Sequence, residues 1–419
     1  MANIMSLKSL RNKTSRNGFD LSSKRNFTAK PGELLPVKCW EVLPGDKWSI
    51  DLKSFTRTQP LNTAAFARIR EYYDFYFVPY NLLWNKANTV LTQMYDNPQH
   101  ATSYIPSANQ ALAGVMPNVT CKGIADYLNL VAPDVTTTNS YEKNYFGYSR
   151  SLGTAKLLEY LGYGNFYTYA ISKNNTWTKS PLSSNLQLNL YGVLAYQKIY
   201  ADHIRDSQWE KVSPSCFNVD YMSGTVDSAM TIDSMITGQS FAPFYNMFDL
   251  RYCNWQKDLF HGVLPRQQYG DTAAVNVNLS NVLSAQYMVQ TPEGDPVGGS
   301  PFSSTGVSLQ TVNGSGTFTV LALRQAEFLQ KWKEITQSGN KDYKDQIEKH
   351  WNVSVGEAYS EMSLYLGGTT ASLDINEVVN NNITGSNAAD IAGKGVVVGN
   401  GRISFDVGER YGLIMCIYH

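Results

Sequence analysis

The fifteen-residue segment REYYDFYFVPYNLLW (residues 70–84) constrains the fold most strongly, because it carries seven aromatic residues and also contains a proline. Alternate residues of a strand point to opposite faces of a sheet. One alternate row here is entirely aromatic: Tyr73, Phe75 and Phe77. We predict that this row is a core row on the inner face of a sheet, and that the opposite row, which contains Asp74, faces a wetter layer or a neighbouring loop. Pro79 cannot donate to a strand ladder, so it is predicted to end the strand.

Several other segments carry the alternation or the turn chemistry of β-structure. Residues 46–55, DKWSIDLKSF, alternate strictly between apolar and polar side chains after a Pro44-Gly45 turn, which predicts a half-buried strand. Further strands are predicted at residues 274–279, 402–407 and 411–419. The segments 307–312 and 317–323 are predicted to pair as a hairpin, because the NGSG sequence between them is typical of a turn.

Helical periodicity is scarcer and is found at residues 190–204, 323–335 and 342–351. In the second segment, Leu323, Ala326, Leu329 and Trp332 form one stripe, and core packing is the preferred interpretation of such stripes. Tracts of turn-forming residues occupy positions 91–185, 291–306 and 367–401. The sequence therefore predicts a mainly β body with large loop insertions, at about residues 91–185 and 285–395, that contain a few helices.

The formal net charge is zero, but the charges are distributed unevenly. Residues 1–30 carry one acid, Asp20, and seven bases: Lys8, Arg11, Lys13, Arg16, Lys24, Arg25 and Lys30. This segment is poor in large apolar groups, which is typical of an extended or disordered basic arm. Lys and Arg neutralise phosphates independently of nucleic-acid sequence, so these seven residues are candidate DNA contacts. An ordinary solvated terminus is the alternative interpretation.

Composition also argues against several classes of protein. No run reaches the roughly 18 apolar residues of a transmembrane helix, and the amino terminus lacks the apolar middle region of a secretory signal. We therefore expect no membrane insertion and synthesis in a cytoplasm. The five cysteines are scattered without CxxC spacing, which favours reduced thiols over a disulfide framework. The five histidines are equally dispersed, so neither a metal nor a cofactor is expected.

Motifs of the common enzyme classes are missing. GKGVVVG (residues 393–399) is not a dinucleotide fingerprint, and neither GxSxG nor a P-loop occurs. Asp202, Asp206 and Glu210 lie four residues apart, and a solvated helix face is preferred over the paired carboxylates of a glycosidase. Cys253 and His261 are interpreted as a core thiol and an unrelated histidine rather than a nucleophile and its base. We predict no catalytic residue.

Several long motifs resemble, in order, the major capsid proteins of microviruses, the small icosahedral single-stranded DNA phages, and particularly those linked to gut Bacteroidales hosts. The first is VLPGDKWSIDLKSFTRTQPLNTAAFARIREYYDFYFVPYNLLW (residues 42–84), with a PGD turn, an R…PL segment and an aromatic strand that leaves through FVP…LLW. The others are VLAYQKIYADHIRDSQ, LRYCNWQKDLFHGVLP, LQKWKEITQSGNKDY, LDINEVVNNN and YGLIMCIYH. The resemblance runs, with gaps in the loops, from about residue 19 to the end.

The resemblance implies a single jelly roll of about eight antiparallel strands over residues 31–419, with long loops that form the outer surface and the subunit contacts. It implies that copies of the chain close into a T=1 icosahedral shell around circular single-stranded DNA, with the arm on the inner side. Other virion or scaffolding proteins and a host surface receptor are further implied partners. In this family the strand that YGLIMCIYH resembles is followed by more chain, so a C-terminal segment of the family is expected to be missing here.

Two other functions stay open on the sequence alone. A jelly-roll binding module could grip sugars or a host receptor with its long Tyr- and Asn-rich loops. A β-rich glycosidase would use carboxylates that the sequence does not pair.

Overall fold

The computed structural model describes twelve stretches of the chain, and statements about structure refer to these residues. They are 17–59, 69–92, 116–132, 141–171, 185–206, 209–210, 212–222, 232–233, 247–254, 320–339, 342–379 and 391–419. The strands predicted at 274–279 and 307–312 lie outside them.

Six strands form one antiparallel sheet, and two short strands form a separate pair. In chain order the strands are Leu35–Val42 (β1), Lys47–Arg57 (β2), Ile69–Pro79 (β3), Asn118–Thr120 (β4), Gln187–Asn189 (β5), Leu364–Val379 (β6), Ile391–Asp406 (β7) and Gly412–Tyr418 (β8). The order across the large sheet is β1-β8-β3-β6-β7-β2, and β4 pairs with β5. The strands predicted at 46–55, 402–407 and 411–419, and the strand predicted to end at Pro79, are confirmed.

The large sheet curls because β6 and β7 each change partner along their length. From Leu364 to Leu373 β6 pairs with β3, and from Asp374 onward it pairs with β7. The second half of β7 then pairs with β2. A bulge between Phe75 and Tyr76 adds to the bend, and Gly367 opposite it has a φ of +120°, which glycine adopts readily. The predicted fold class is confirmed: the protein is mainly β, with a jelly-roll-like curled sheet and a few helices.

The inside of the curl holds the aromatic row of β3. Tyr73, Phe75 and Phe77 are buried there, next to Ile414 and Cys416 of β8. Partly buried side chains from the strands on either side close over them: Trp40, Trp48, Ile50, Leu52, Leu366, Ile403 and Phe405. Burying three aromatic side chains stabilises this layer by several kcal/mol, on the order of 2 kcal/mol for each ring.

The opposite row of β3 does not face a wet layer along its whole length, which corrects the prediction. Tyr76 and Val78 are buried in the largest apolar core among the described residues, between the sheet and the helices. The two alternating rows of β3 therefore face two different cores, rather than one core and the solvent. A strand covered on both faces reads as a near-continuous hydrophobic run.

Asp74 lies on that opposite row but has partners of its own. Its carboxylate accepts hydrogen bonds from the Tyr365 hydroxyl at 3.1 Å and from His419 Nε2 at 2.9 Å. Burial lowers the pKa of His419, but hydrogen bonds to Asp74 and Cys253 outweigh burial and raise this pKa to about 9. The imidazolium is therefore the form that pairs with Asp74 at neutral pH.

Several of the helices pack on the face of the sheet that points away from the inside of the curl. The helices are Ala87–Thr92 (α1), Cys121–Val131 (α2), Tyr141–Tyr160 (α3), Tyr167–Ile171 (α4), Tyr191–Ile199 (α5), Val320–Gln337 (α6) and Tyr343–Trp351 (α7). A π-helical turn, Tyr200–Ile204, extends α5, and 3₁₀ turns occur at Tyr80–Leu82, Pro214–Cys216, Val219–Tyr221 and Glu357–Tyr359. Helices α2, α4 and α5 contribute Ile124, Tyr169 and Tyr196 to the core that covers the outer face of the sheet.

Three sequence-based predictions about the second half of the chain are wrong. Residues 320–323 are helical rather than the end of a hairpin strand. They directly precede a segment with helical periodicity, and extending an existing helix costs less free energy than starting a new one. The turn-rich tract 367–401 supplies most of β6 and β7, so the sheet includes part of the predicted second insertion. The stripe on α6 is not a core face, since Leu323, Leu329 and Trp332 are all exposed.

Glycines explain why a turn-like composition forms strands. A Cβ at Gly399 would lie 2.5 Å from Ser54 Oγ, and a Cβ at Gly401 would clash with Thr369 Cγ2. Glycine in a strand often marks such a close approach. These residues are therefore consistent with tight packing between strands rather than with chain reversal.

We predict that Gly412→Ala destabilises the sheet. A Cβ there would lie 2.5 Å from the Val78 carbonyl oxygen and 2.7 Å from the Phe77 ring, in the β3–β8 pairing. Overpacking of this kind costs about 1–3 kcal/mol, and urea unfolding of the two proteins measures it. Gly356→Ala is the matched control, because no atom lies within 4 Å of its Cβ position. Equal unfolding free energies for the two variants would contradict the prediction.

Candidate nucleic-acid interface

The basic arm is not free along its described length. Of the seven predicted contacts, Lys8, Arg11, Lys13 and Arg16 lie outside the described residues. Lys24 and Lys30 are exposed, whereas Arg25 is partly buried against the body.

Arg25 fastens the arm to β1 and to the end of α3. Its guanidinium donates to the carbonyl oxygens of Val37 and Glu159 and lies 5.1 Å from the centre of the Tyr160 ring. Burial lowers the pKa of Arg25, partly offset by Tyr160 and Glu159. Its donors are thus directed at protein carbonyls, which distinguishes it from Lys24 and Lys30.

Phe27 packs at the same point. Its ring meets Tyr160 edge-on at 6.0 Å between centroids and Tyr418 of β8 at 5.2 Å. The Tyr160 hydroxyl donates to the Thr28 carbonyl at 2.9 Å. A few residues further along, Glu33 forms an ion pair with Lys156 at 2.5 Å, and the Glu33 side chain is almost fully buried. The arm is therefore held across the open side of the curled sheet.

A groove of about 2560 Å³ runs between this arm and the sheet. It is bordered by residues 17–30 of the arm, by Pro31 and Gly32, and by β1 and β2, and Tyr73 and Phe75 also line it. The two edge strands of the sheet, β1 and β2, do not pair with each other in the described sheet. The residues that line the groove include nine Lys or Arg and five Asp or Glu, an excess of bases although the whole chain is neutral. Its bases are Lys24, Arg25, Lys30, Lys38, Lys47, Lys53, Arg57, Arg70 and Lys156.

The carboxylates considered for glycosidase chemistry are held in structural contacts. Asp202 accepts from Lys198 Nζ at 2.9 Å and from the Ser363 N–H at 2.7 Å, and its side chain is nearly buried. Glu210 accepts from the Tyr200 hydroxyl. The predicted solvated face is therefore wrong for Asp202, because Lys198 and Ser363, the residue before β6, bind its carboxylate. His261 lies outside the described residues, so its relation to Cys253 is not described.

All five cysteines are free thiols. Burial, with a contribution from Glu41, raises the pKa of Cys39 to about 12, and burial also raises that of Cys416. These thiols are therefore neutral rather than reactive thiolates. Within the described ranges, no group of three or more His, Cys, Asp or Glu residues is placed to hold a metal ion.

A family profile described as "Capsid protein (F protein)" matches residues 8–150 and 175–392, which is most of the chain. The chain belongs to this capsid protein family. The resemblance to microvirus capsid proteins that the motifs indicated is thus confirmed at the level of the family.

Two relatives of known name are similar along nearly the whole chain. Capsid protein VP1 of Bdellovibrio phage phiMH2K is 24% identical over 87% of this chain and 60% of its own length. Capsid protein VP1 of Chlamydia phage 1 is 23% identical over 88% of this chain and 65% of its own length. The chain therefore spans about 60–65% of the length of the curated relatives it matches.

The F-protein match includes the arm from residue 8 and the segment 247–254. The sequence analysis did not predict the tertiary contacts of segment 247–254. Arg251 Nε donates to Gln197 Oε1 at 2.8 Å, and Gln197 Nε2 donates to the carbonyls of Met247 and Asp249. Arg150 binds the Asp249 carboxylate through two nitrogens, at 2.8 and 2.9 Å. The partners lie about 50 to 100 residues apart in the sequence, so no local pattern could have revealed them.

The described helices include none that is both long and apolar enough to cross a membrane.

We predict that Arg25→Ala loosens the arm. It removes two hydrogen bonds to carbonyls and a cation–π contact, so the protection of the Thr28 amide, which donates to the Tyr160 hydroxyl at 3.2 Å, against hydrogen exchange should fall roughly tenfold. Lys24→Ala removes an adjacent exposed charge and should leave that protection unchanged. Equal exchange in the two variants would show that Arg25 does not hold the arm.

Proposed function

We propose that the protein is the structural subunit of a microvirus virion and that its function is self-assembly rather than catalysis. The observation that carries this proposal is the F-protein family match over most of the chain, together with the curled antiparallel sheet. In this proposal residues 1–30 are an arm on the inner side of the shell and residues 31–419 are the capsid domain. Its insertions are at about 91–185 and in the part of the predicted 285–395 tract that precedes β6. The protein would be made in the cytoplasm of the bacterial host and reside in the virion.

The proposed partners are copies of this chain in a small icosahedral shell, the single-stranded DNA genome, other virion or scaffolding proteins, and a host receptor. Exposed aromatic residues on α6 and α7 support contacts between copies. Phe328 and Trp351 are both 64% exposed, and Trp332 between them stacks on His350 at 3.9 Å. Monomeric proteins rarely expose large contiguous apolar patches, and aromatic residues are enriched at interfaces.

Assembly tests the first part of the proposal. The purified chain should form closed shells or defined oligomers, measured by light scattering and negative-stain microscopy. Phe328→Asp should reduce that assembly while leaving the melting temperature unchanged, because the side chain is exposed. Gln325→Asp adds the same charge one turn away and is the matched control. A chain that stays monomeric at all concentrations, with or without its co-expressed scaffolding partner, would contradict the proposal.

Single-stranded DNA binding tests the second part. Lys13→Gln with Arg16→Gln should weaken binding of an oligonucleotide and lower the slope of log affinity against log salt by up to roughly 0.7 for each phosphate that the arm no longer neutralises. Lys331→Gln with Lys349→Gln removes the same charge from exposed positions on α6 and α7 and is the control. If both pairs of substitutions leave the slope at its wild-type value, the arm does not bind the genome through these residues.

A further inference from the structure

The outer face of β2 carries a basic–aromatic–basic row that the proposed arm does not account for. Lys53, Phe55 and Arg57 are alternate residues, so their side chains leave the same face of the strand, roughly 7 Å apart. All three are exposed. Phe55 is 66% exposed, although it lies within a continuous eleven-residue strand.

The neighbouring strand leaves Phe55 uncovered. The residue opposite it on β7 is Val398, which is itself 75% exposed. The inner residues of β2, such as Trp48 and Ile50, already supply the apolar side that packs against the core. Burial in the core therefore does not account for a phenylalanine at position 55, which is exposed beside an exposed valine.

The two cations beside Phe55 are not neutralised by the fold. Lys53 lies opposite Asn400, and Arg57 lies opposite Val396. Neither forms an ion pair within the part of the chain that the structure describes. By contrast, Lys47 on the same face lies 3.6 Å from Asp406.

The acids nearest in register do not cancel this charge. Asp51 precedes the row and lies opposite Arg402. Asp374 of β6 lies beside Val396, one strand further away from Arg57. On the outer face of β2, the end that carries Lys53 and Arg57 without an acid therefore also carries the Phe55 ring.

The strand that carries the row also borders the groove beside the arm. Residues of β2 and the exposed arm lysines Lys24 and Lys30 line this groove of about 2560 Å³. The row itself is on the outer face of β2, opposite Trp48 and Ile50, which pack toward the core.

We propose that the Lys53–Phe55–Arg57 row is a binding site for single-stranded nucleic acid, independent of sequence. One unpaired base stacks on the Phe55 ring while Lys53 and Arg57 neutralise the phosphates on either side. Positive grooves with stacking aromatics bind single strands in this way, because every base has a π-face. The inference rests on the proposed genome binding and names a second place, on the sheet itself, where that binding occurs.

The test separates stacking from charge, using a fluorescently labelled mixed-sequence single strand and its duplex as probes. Phe55→Ala should weaken single-strand binding roughly 5- to 150-fold, as expected when one base–aromatic stack is removed, without changing the salt slope. Duplex binding should not change, because paired bases cannot stack on the ring. Phe55→Trp should retain single-strand affinity.

The charge variant and the control complete the experiment. Lys53→Gln with Arg57→Gln should lower the salt slope by roughly 0.7 for each phosphate that the row no longer neutralises. Tyr221→Ala removes an aromatic side chain that is 65% exposed and lies outside the groove, and it should change nothing. Thermal unfolding of each variant verifies that the fold is intact, as the exposure of the replaced side chains predicts.

Three results would overturn the inference, and each is distinct. If the arm substitutions weaken binding while the β2 substitutions do not, the site on β2 is wrong and genome binding by the arm stands. If Phe55→Ala changes oligomer size but not DNA affinity, the row is a contact between copies of the chain. If the wild-type protein does not bind single strands at all, the proposed genome binding fails and this site fails with it.

Discussion

Burial of β3 on both faces is the constraint on which the rest of the structure depends. Its aromatic row, Tyr73, Phe75 and Phe77, fills the inside of the curl, while Tyr76 and Val78 enter the core beneath the helices. A strand with two apolar faces needs a layer on each side. The curled sheet supplies one layer and the helices α2, α4 and α5 supply the other.

The curl in turn determines where the edges of the sheet lie. Because β6 and β7 each change partner, the chain of pairings ends at β1 and β2 on either side of one groove rather than closing into a barrel within the described residues. The arm lies over that opening, held by Arg25 and Phe27. The same geometry that buries β3 therefore brings basic residues from the arm and from β2 to one groove, even though the chain has no net charge.

Much of the fold was predictable from local pattern. Strict alternation located β2, and the aromatic row located β3 and its inner face. The long motifs indicated the capsid family before any tertiary contact was known. The errors occurred where a local pattern had two physical meanings. Glycine-rich residues 367–401 suggested turns, but Gly399 and Gly401 lie at close approaches between strands. The amphipathic stripe of α6 suggested a core face, but an apolar stripe cannot specify whether it packs within one chain or faces outward.

By itself, the sequence determined the mainly β class, the strand that carries the core, the excess of positive charge in the first thirty residues and the family. These properties depend on side-chain chemistry and on periods of a few residues, which are local. Only the tertiary structure decided that Arg25 binds carbonyls while Lys24 and Lys30 stay exposed, that β1 and β2 border one groove, and that Asp74 pairs with His419. Those outcomes depend on contacts between residues up to several hundred positions apart, and such contacts exist only once burial of the shared strand has brought the segments together.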